Sequence, residues 1–307
     1  MANLLTNVSQ AMLEDEVLQP LRLDRSPINA FSYSVDEKAR AVGDTTKVNI
    51  LSAKTSKTYN GSFATGDGNT TTSTNVTLTA PVMSDWEINP LLEGIPTAAR
   101  WAAEALDAAQ AVVEGILTSA FGLFTLDNIG NVNETDVVAV SAANYDSDDQ
   151  ADLWGMLAGK KVKGRRSAIH SIPYITSLMK DDSMKDADKY GNSDLVQTGQ
   201  MGTLYGAKQF YTDLFPSALT DENTEVIYTG AETIAIGFAQ PLDPVAGLQN
   251  AAGVQLRVMV DPTTGIPLIY RAYVDANTGI YHGAVFTMRG QAFLRNSAVR
   301  IVSALTT

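Results

Sequence analysis

Residues 47–79 and 96–121 constrain this chain more than any other stretch, because neither can be completed inside a compact monomer. Two alternating segments, Lys47-Val48-Asn49-Ile50 and Asn75-Val76-Thr77-Leu78-Thr79, have the period of paired strands. Between them lie residues 52–74, in which only Tyr59 and Phe63 are large and apolar. A segment with so little to bury cannot form a core of its own. Connections of this length are uncommon within a compact domain and are usually functional or disordered, and a two-stranded ribbon alone is marginal in water. The expectation is a projecting hairpin that finds its burial on a neighbouring subunit, with Lys54, Lys57, Tyr59 and Phe63 as its contact residues.

Residues 96–121 contain no internal proline or turn cluster, and Gly115 is their one helix-weakening residue. Arg100, Glu104, Asp107, Ala111 and Glu114 recur at helical spacing and form one polar face. Trp101, Ala105, Ala108 and Val112, with Ala102, Leu106, Ala109, Val113 and Leu117, form the remainder. At about 1.5 Å per residue the helix is roughly 39 Å long, and its alanines let a sheet or loop come close. Pro96 suits the first turn, where its missing amide hydrogen is not used, and Phe121-Gly122-Leu123-Phe124 ends the rod.

The other segments are read more coarsely. Residues 2–18 set Leu4, Leu5, Val8, Met12 and Leu13 near helical spacing before Pro20, a short amphipathic arm that either packs on its own domain or reaches over a neighbour. From 137 to 244 short helices and strands alternate. Acidic residues at 148–149 precede one helix, Arg166-Ser167-Ala168-Ile169-His170 is a strand, Ser171-Ile172-Pro173 opens a second helix, and residues 225–228 and 233–237 are further strands. Together these could form an α/β module of their own. Toward the C-terminus, Val260-Asp261-Pro262-Thr263-Thr264-Gly265-Ile266 is echoed by Val274-Asp275-Ala276-Asn277-Thr278-Gly279-Ile280. In each, Asp starts a turn and Gly supplies positive φ. Strands are predicted near 254–260, 266–274 and 280–288, with a last strand at 299–302 closing the chain.

Composition excludes several chemistries. The chain has 307 residues, 45% hydrophobic and 18% charged, which places it in the globular class. It has no cysteine, so disulfides, thiolate metal sites and cysteine nucleophiles are ruled out. The start shows no signal-type apolar run and no stretch of about 18 apolar residues occurs, so no membrane partner is expected and synthesis in the cytosol is. A net charge of −12 disfavours a general grip on nucleic acid. The local exception, Lys160, Lys161, Lys163, Arg165 and Arg166, reads either as a phosphate contact or as a solvated turn with ion pairs.

Two histidines, His170 and His282, have no partner at metal-ligand spacing, and His170 in its apolar strand reads as a hydrogen-bonded structural residue. Gly199, Gly202 and Gly206 suggest a phosphate loop, but Ala207 separates Gly206 from Lys208, and the glycines read as turns. Asp146, Asp148 and Asp149, with Asp181, Asp182, Asp186 and Asp188, satisfy no calcium loop and read as caps and solvated turns. No catalytic residue, cofactor or metal site is assigned, and the chain is not expected to be an enzyme.

In order, the pieces are an amphipathic arm, an extended polar hairpin, a long alanine-rich helix, an inserted α/β module and a closing sheet. This order resembles the major capsid protein of tailed bacteriophages, the Hong Kong 97-type shell fold. Residues 167–181, from Ser167-Ala168-Ile169-His170 to Leu178-Met179-Lys180-Asp181, are similar to that family's strand and helix, as are residues 199–211 and Gly290-Gln291-Ala292-Phe293-Leu294-Arg295 to later segments.

The resemblance implies an α+β fold divided into an N-terminal arm (1–43), an E-loop hairpin (44–83), a peripheral domain (84–136) with its spine helix at 96–121, an axial domain (137–244) and a closing peripheral sheet (245–307). It implies a shell in the virion, assembled in the host bacterial cytoplasm from copies of the chain in pentamers and hexamers. Double-stranded DNA inside would be contacted non-specifically, with scaffold, portal and decoration proteins as further partners. Some family members cross-link a hairpin lysine to asparagine with the help of a glutamate near the closing sheet. No Glu follows Glu232 here, so the expected shell is non-covalent. Alternative readings are an encapsulin-type compartment shell and a carboxylate-dependent hydrolase.

Overall fold

The strands, in chain order, are β1 (Ser32–Arg40), β2 (Thr45–Leu51), β3 (Thr71–Thr77), β4 (Val82–Ile88), β5 (Val137–Ala139), β6 (Arg166–Ser171) and β7 (Thr203–Leu204). They continue with β8 (Ala207–Thr212), β9 (Thr224–Gly230), β10 (Ile234–Pro241), β11 (Val254–Val260), β12 (Pro267–Val274), β13 (Tyr281–Phe293) and β14 (Ala298–Val302). The computed structural model describes residues 26–51, 58–59, 61, 71–94, 97–129, 136–162, 164–185, 202–215, 223–241, 254–260 and 266–303. The amphipathic arm at 2–18 lies outside the described residues, as do Pro96, Gly199 and the first of the two echoed turns.

The first sheet runs β1-β10-β13-β12-β11, with β4 also on β13. One long strand makes this possible: residues 281–287 of β13 pair with β4 on one edge, where Leu78 goes on to bridge Gly290, while residues 288–293 pair with β10 on the other. β4 alternates between half-buried and exposed residues until Ile88, as a strand with one covered face must. The cover is the long helix, Ala98–Phe121, which therefore finds its burial within the monomer and not, as its sequence suggested, outside it. Trp101, Ala105, Ala109, Val112, Val113, Ile116 and Leu117 are buried along it, and Gly115 lies close enough to β4 that a Cβ there would stand 3.2 Å from Val82. Thr97 caps the helix, its hydroxyl oxygen accepting from the amide of Arg100 at 3.3 Å. The first helical residue is therefore Ala98 and not Pro96: the threonine oxygen satisfies an amide that would otherwise be orphaned.

The second sheet runs β5-β14-β9-β6-β8-β7. Helices Ser147–Gly159 and Ile172–Lys180 cover one face, bringing Leu153, Leu157, Tyr174, Ile175 and Leu178 onto Ala168, Val226, Tyr228, Val299 and Ile301. The opposite face presents Ile169, Phe210 and Ile227 to the same core that holds Phe31, Phe121, Phe124 and the long helix. One continuous apolar core thus joins the two sheets, each fully buried aliphatic or aromatic side chain contributing about 1.5–3 kcal/mol.

Two strands sit elsewhere than the sequence order suggests. β10, read with the α/β module, pairs with β1 and β13 in the first sheet, and β14, read as closing the C-terminal sheet, pairs with β5 and β9 in the second. Both are short runs buried on both faces, so their patterns carry no mark of which sheet receives them. Within the stretch read as an arm, β1 lies parallel to β10 as part of the first sheet, with Phe31 just before it fully buried. The C-terminal meander forms as predicted: β11 pairs with β12 and β12 with β13. The Asp275 carboxylate accepts from the Asn277 amide at 2.9 Å and from the Thr278 hydroxyl at 2.8 Å, and Gly279 has φ 71°.

Candidate subunit-interface surface

β2 and β3 form an antiparallel ribbon, with Leu51 opposite Thr71 and Thr45 opposite Thr77. This ribbon pairs with neither six-stranded sheet. At its root the chain is held firmly. The Leu78 amide donates to Asp44 O at 2.8 Å, Gly43 N to Leu78 O at 2.9 Å, and both the amide and the hydroxyl of Thr79 to Arg289 O at 2.8 Å. Leu78 packs against Ala239 and Met288, and Val76 is buried over Gly237 and Gly290. Away from the root the burial ends: Lys47, Asn49, Ser73 and Asn75 are exposed and Val48 is half-buried.

Of the four predicted contact residues, Tyr59 is described and is 67% exposed. Lys54, Lys57 and Phe63 lie outside the described residues.

The root is coupled to the long helix. From β13, the Arg289 guanidinium donates to Gln291 Oε1 at 2.7 Å and lies 3.5 Å from the carbonyl of Gly115, while Gln291 Nε2 donates to Ser119 Oγ at 2.6 Å. On its solvent side the helix presents Asp107, Ala111 and Glu114, with Glu104 half-buried. Arg100 is withdrawn from that face by an ion pair with Glu93, which leaves the helix face acidic.

Sequence reading missed two apolar features of the surface. The short helix Pro90–Glu93, capped by Asn89, projects Leu91 and Leu92, which are 87% and 83% exposed. A two-leucine run is too short for any periodicity to signal it. The outer face of the first sheet carries a groove of about 440 Å³ lined by Met83, Asp85, Arg271, Tyr273, His282 and Phe286. There the Tyr273 and His282 rings stack at 4.9 Å and 16°. The signal for this face was the alternation of β4 and β13, legible only once their pairing was known.

The remaining candidates resolve as structure. His170 is fully buried, with Nε2 2.7 Å from Gln209 Oε1 and Nδ1 3.4 Å from the Tyr145 hydroxyl. Gln150 Nε2 also donates to Gln209 Oε1 at 2.8 Å, and Gln209 Nε2 donates to Ala207 O at 2.9 Å. Burial lowers the His170 pKa to about 4, so the ring is neutral. Asp146 caps the helix Ser147–Gly159 in a reciprocal capping box with Asp149, and Asp181 accepts from the Ser147 amide at 2.9 Å. Burial, more than its acidic neighbours, raises the Asp149 pKa. Gly206, with φ 72°, closes the hairpin between β7 and β8, as the turn reading expected. In the basic run, Lys160 makes an ion pair with Asp136 at 2.8 Å. Among the described residues no three His, Asp or Glu side chains gather as a metal site, and no helix is long and apolar enough to cross a membrane.

No protein-family profile and no curated protein sequence matches the chain. Its fold does match solved structures. A chain from Mycobacterium phage Che8 aligns with a TM-score of 0.54 at 15% identity, covering 84% of each chain. The mature capsid of bacteriophage PhiM1 aligns at 0.55 and 11%, covering 89% of this chain and 85% of that one. The capsid of a native GTA particle aligns at 0.53 and 14%, covering 91% and 90%. The chain therefore has the α+β fold of phage capsid subunits, the Hong Kong 97-type shell fold.

Proposed function

We propose that this chain is a major capsid protein, many copies of which assemble through pentamers and hexamers into the icosahedral head around the double-stranded DNA of a tailed bacteriophage. The observation that supports the reading, beyond the fold, is the ribbon: it is anchored at its root by Val76 and Leu78, and its other described residues are exposed or half-buried, which suits a surface completed by another molecule. Lys54, Lys57, Tyr59 and Phe63 are its contacts on the next copy. Residues 45–79 hold three lysines and one acid, Asp67, within a chain of net charge −12, and the acidic face of the long helix is the complementary surface. Many weak contacts of this kind sum because each copy engages several neighbours at once. On this reading the first sheet with the long helix is the peripheral part, including β10, and the second sheet is the axial part, including β14. An acidic subunit suits a container whose contents must be packed and released without being gripped.

The test joins Leu51 to Thr71 through Asn-Gly, a two-residue turn that keeps the paired strands and removes residues 52–70. Wild-type protein forms shells or rings in negative-stain images, and the shortened protein remains folded but unassembled. Wild-type protein that stays monomeric at high concentration refutes the reading. Shells isolated from the native source that hold a protein cargo and no DNA place the chain with encapsulin-type compartments instead.

A further inference from the structure

The polypeptide passes from the second sheet to the first at residues 231–233 and returns at 294–297, and these two crossings run side by side. Gly230 N donates to Ser297 O at 2.9 Å and Leu294 N to Thr233 O at 2.8 Å, so each crossing is hydrogen-bonded to the other. Between them sits a cluster of hydroxyls with no exposure to solvent: Thr229, Thr233 and Ser297. Thr233 Oγ1 lies 2.9 Å from Gly230 O, 3.1 Å from Ser297 O, 2.7 Å from Ser297 Oγ and 2.8 Å from Thr229 Oγ1. One threonine oxygen thus touches both crossings.

A charged group closes the same junction from outside. The Lys160 ammonium has three protons and three acceptors: Asp136 Oδ2 at 2.8 Å, Asn296 Oδ1 at 2.8 Å and Ala298 O at 2.7 Å. Asn296 Nδ2 donates in turn to Asp136 Oδ2 at 2.9 Å. Asp136 immediately precedes β5, Asn296 belongs to the return crossing and Lys160 follows the helix Ser147–Gly159, so one ammonium ties three separate passes of the chain. The turn after Lys160 is wedged in place. Lys161 adopts φ 53°, and Val162 packs so closely on Gly230 that a Cβ there would overlap its methyl group. An ion pair between Arg295 and Glu232 at 3.1 Å bridges the crossings once more.

We propose that this junction is a locked joint, which fixes the angle between the two sheets within the monomer, and that Lys160, Thr233 and Ser297 are its determinants. A buried hydroxyl cluster and a fully satisfied ammonium have one low-energy arrangement, because turning one sheet on the other strands several polar groups at once. The inference rests on the shell reading for its consequence. In a closed shell the contact surfaces are distributed over both sheets, so the angle between them becomes the curvature of the wall, and a loosened joint broadens the range of particle diameters.

The experiment uses Thr233→Val, which keeps the shape and removes the hydroxyl, Lys160→Met, at the solvent edge of the junction, and Thr233→Ser as the variant that restores the oxygen. Amide hydrogen exchange is read in the dissociated subunit, and particle diameter by electron microscopy of assembled material. The Gly230 and Leu294 amides are expected to exchange about tenfold faster or more in T233V and K160M, the change that follows loss of a buried hydrogen bond. The Ile169 amide in β6 should be unmoved and T233S close to wild type, with the assembled variants spread over several diameters. Unchanged exchange in both T233V and K160M overturns the lock, and faster exchange with a single wild-type diameter overturns its role in curvature. If the wild-type chain forms no shell at all, the shell reading fails while the exchange data still decide whether the joint is locked.

Discussion

Gly290 passes beneath Thr77 so closely that a Cβ at position 290 would overlap the Thr77 carbonyl, a backbone group that cannot turn aside. Val76 rests on the same glycine, and the adjacent Leu78 forms a bridge to it. Glycine at this position is what lets the ribbon root lie flat on the first sheet. Gly290→Ala is expected to cost about 1–3 kcal/mol, the range for forcing a methyl group into packed structure. Urea unfolding of the dissociated subunit measures it, and a loss below about 0.5 kcal/mol would mean that the root is not held by this approach.

Trp101 on the long helix donates its indole N–H to the hydroxyl of Tyr270 on β12, with both rings fully buried. Burial pushes the Tyr270 phenol up to about 12, and the tryptophan hydrogen bond opposes that rise. Trp101→Phe leaves the phenol oxygen without this donor and should destabilise the fold by about 2–3 kcal/mol. In a double-mutant cycle with Tyr270→Phe, a coupling of about 1 kcal/mol is expected. Additive losses would show that the pair contributes through area alone.

His170 predicts a specific loss of stability in acid. The unfolded imidazole takes up its proton near pH 6.5 and the native one only near 4, because burial excludes the charged form. A depressed histidine pKa means that the unfolded chain binds the extra proton first, so stability is complete above about pH 6.5, falls from there to about pH 4 and then levels. The difference amounts to about 3 kcal/mol. Unfolding of wild type and His170→Gln across this window tests it, since the substituted chain should lack this part of the slope.

Asp146 caps the helix Ser147–Gly159 by accepting from the amides of Asp148 at 2.9 Å and Asp149 at 3.2 Å. Asp146→Ala is expected to cost about 1 kcal/mol, as N-cap removal generally does, and thermal unfolding reads the loss directly. An unchanged midpoint would place the acidic cluster outside the structural role assigned to it.

Assembled material boiled in detergent should run as a single band at the subunit mass, 32.8 kDa. The missing acidic partner after Glu232 is the reason. A ladder of multimers would show that covalent linkage proceeds without that glutamate.

What the sequence determined by itself were features written in local periodicity and turn chemistry. The alanine-rich helix followed from 3.6-residue spacing, the C-terminal meander from its Asp and Gly turns, the paired strands of the ribbon from alternation, and the structural role of His170 from its apolar strand. Only the tertiary structure decided which sheet receives β10 and β14, how β1 completes the first sheet, and where Leu91, Leu92 and the outer groove surface. The physical reason is range: strand partnership depends on which apolar faces meet across separations of up to two hundred residues, and a short strand buried on both faces carries no trace of its neighbour. The junction at Thr233, Ser297 and Lys160 is the extreme case. Its residues are ordinary polar ones in sequence, and they acquire a role only where three distant passes of the chain are brought within hydrogen-bond reach.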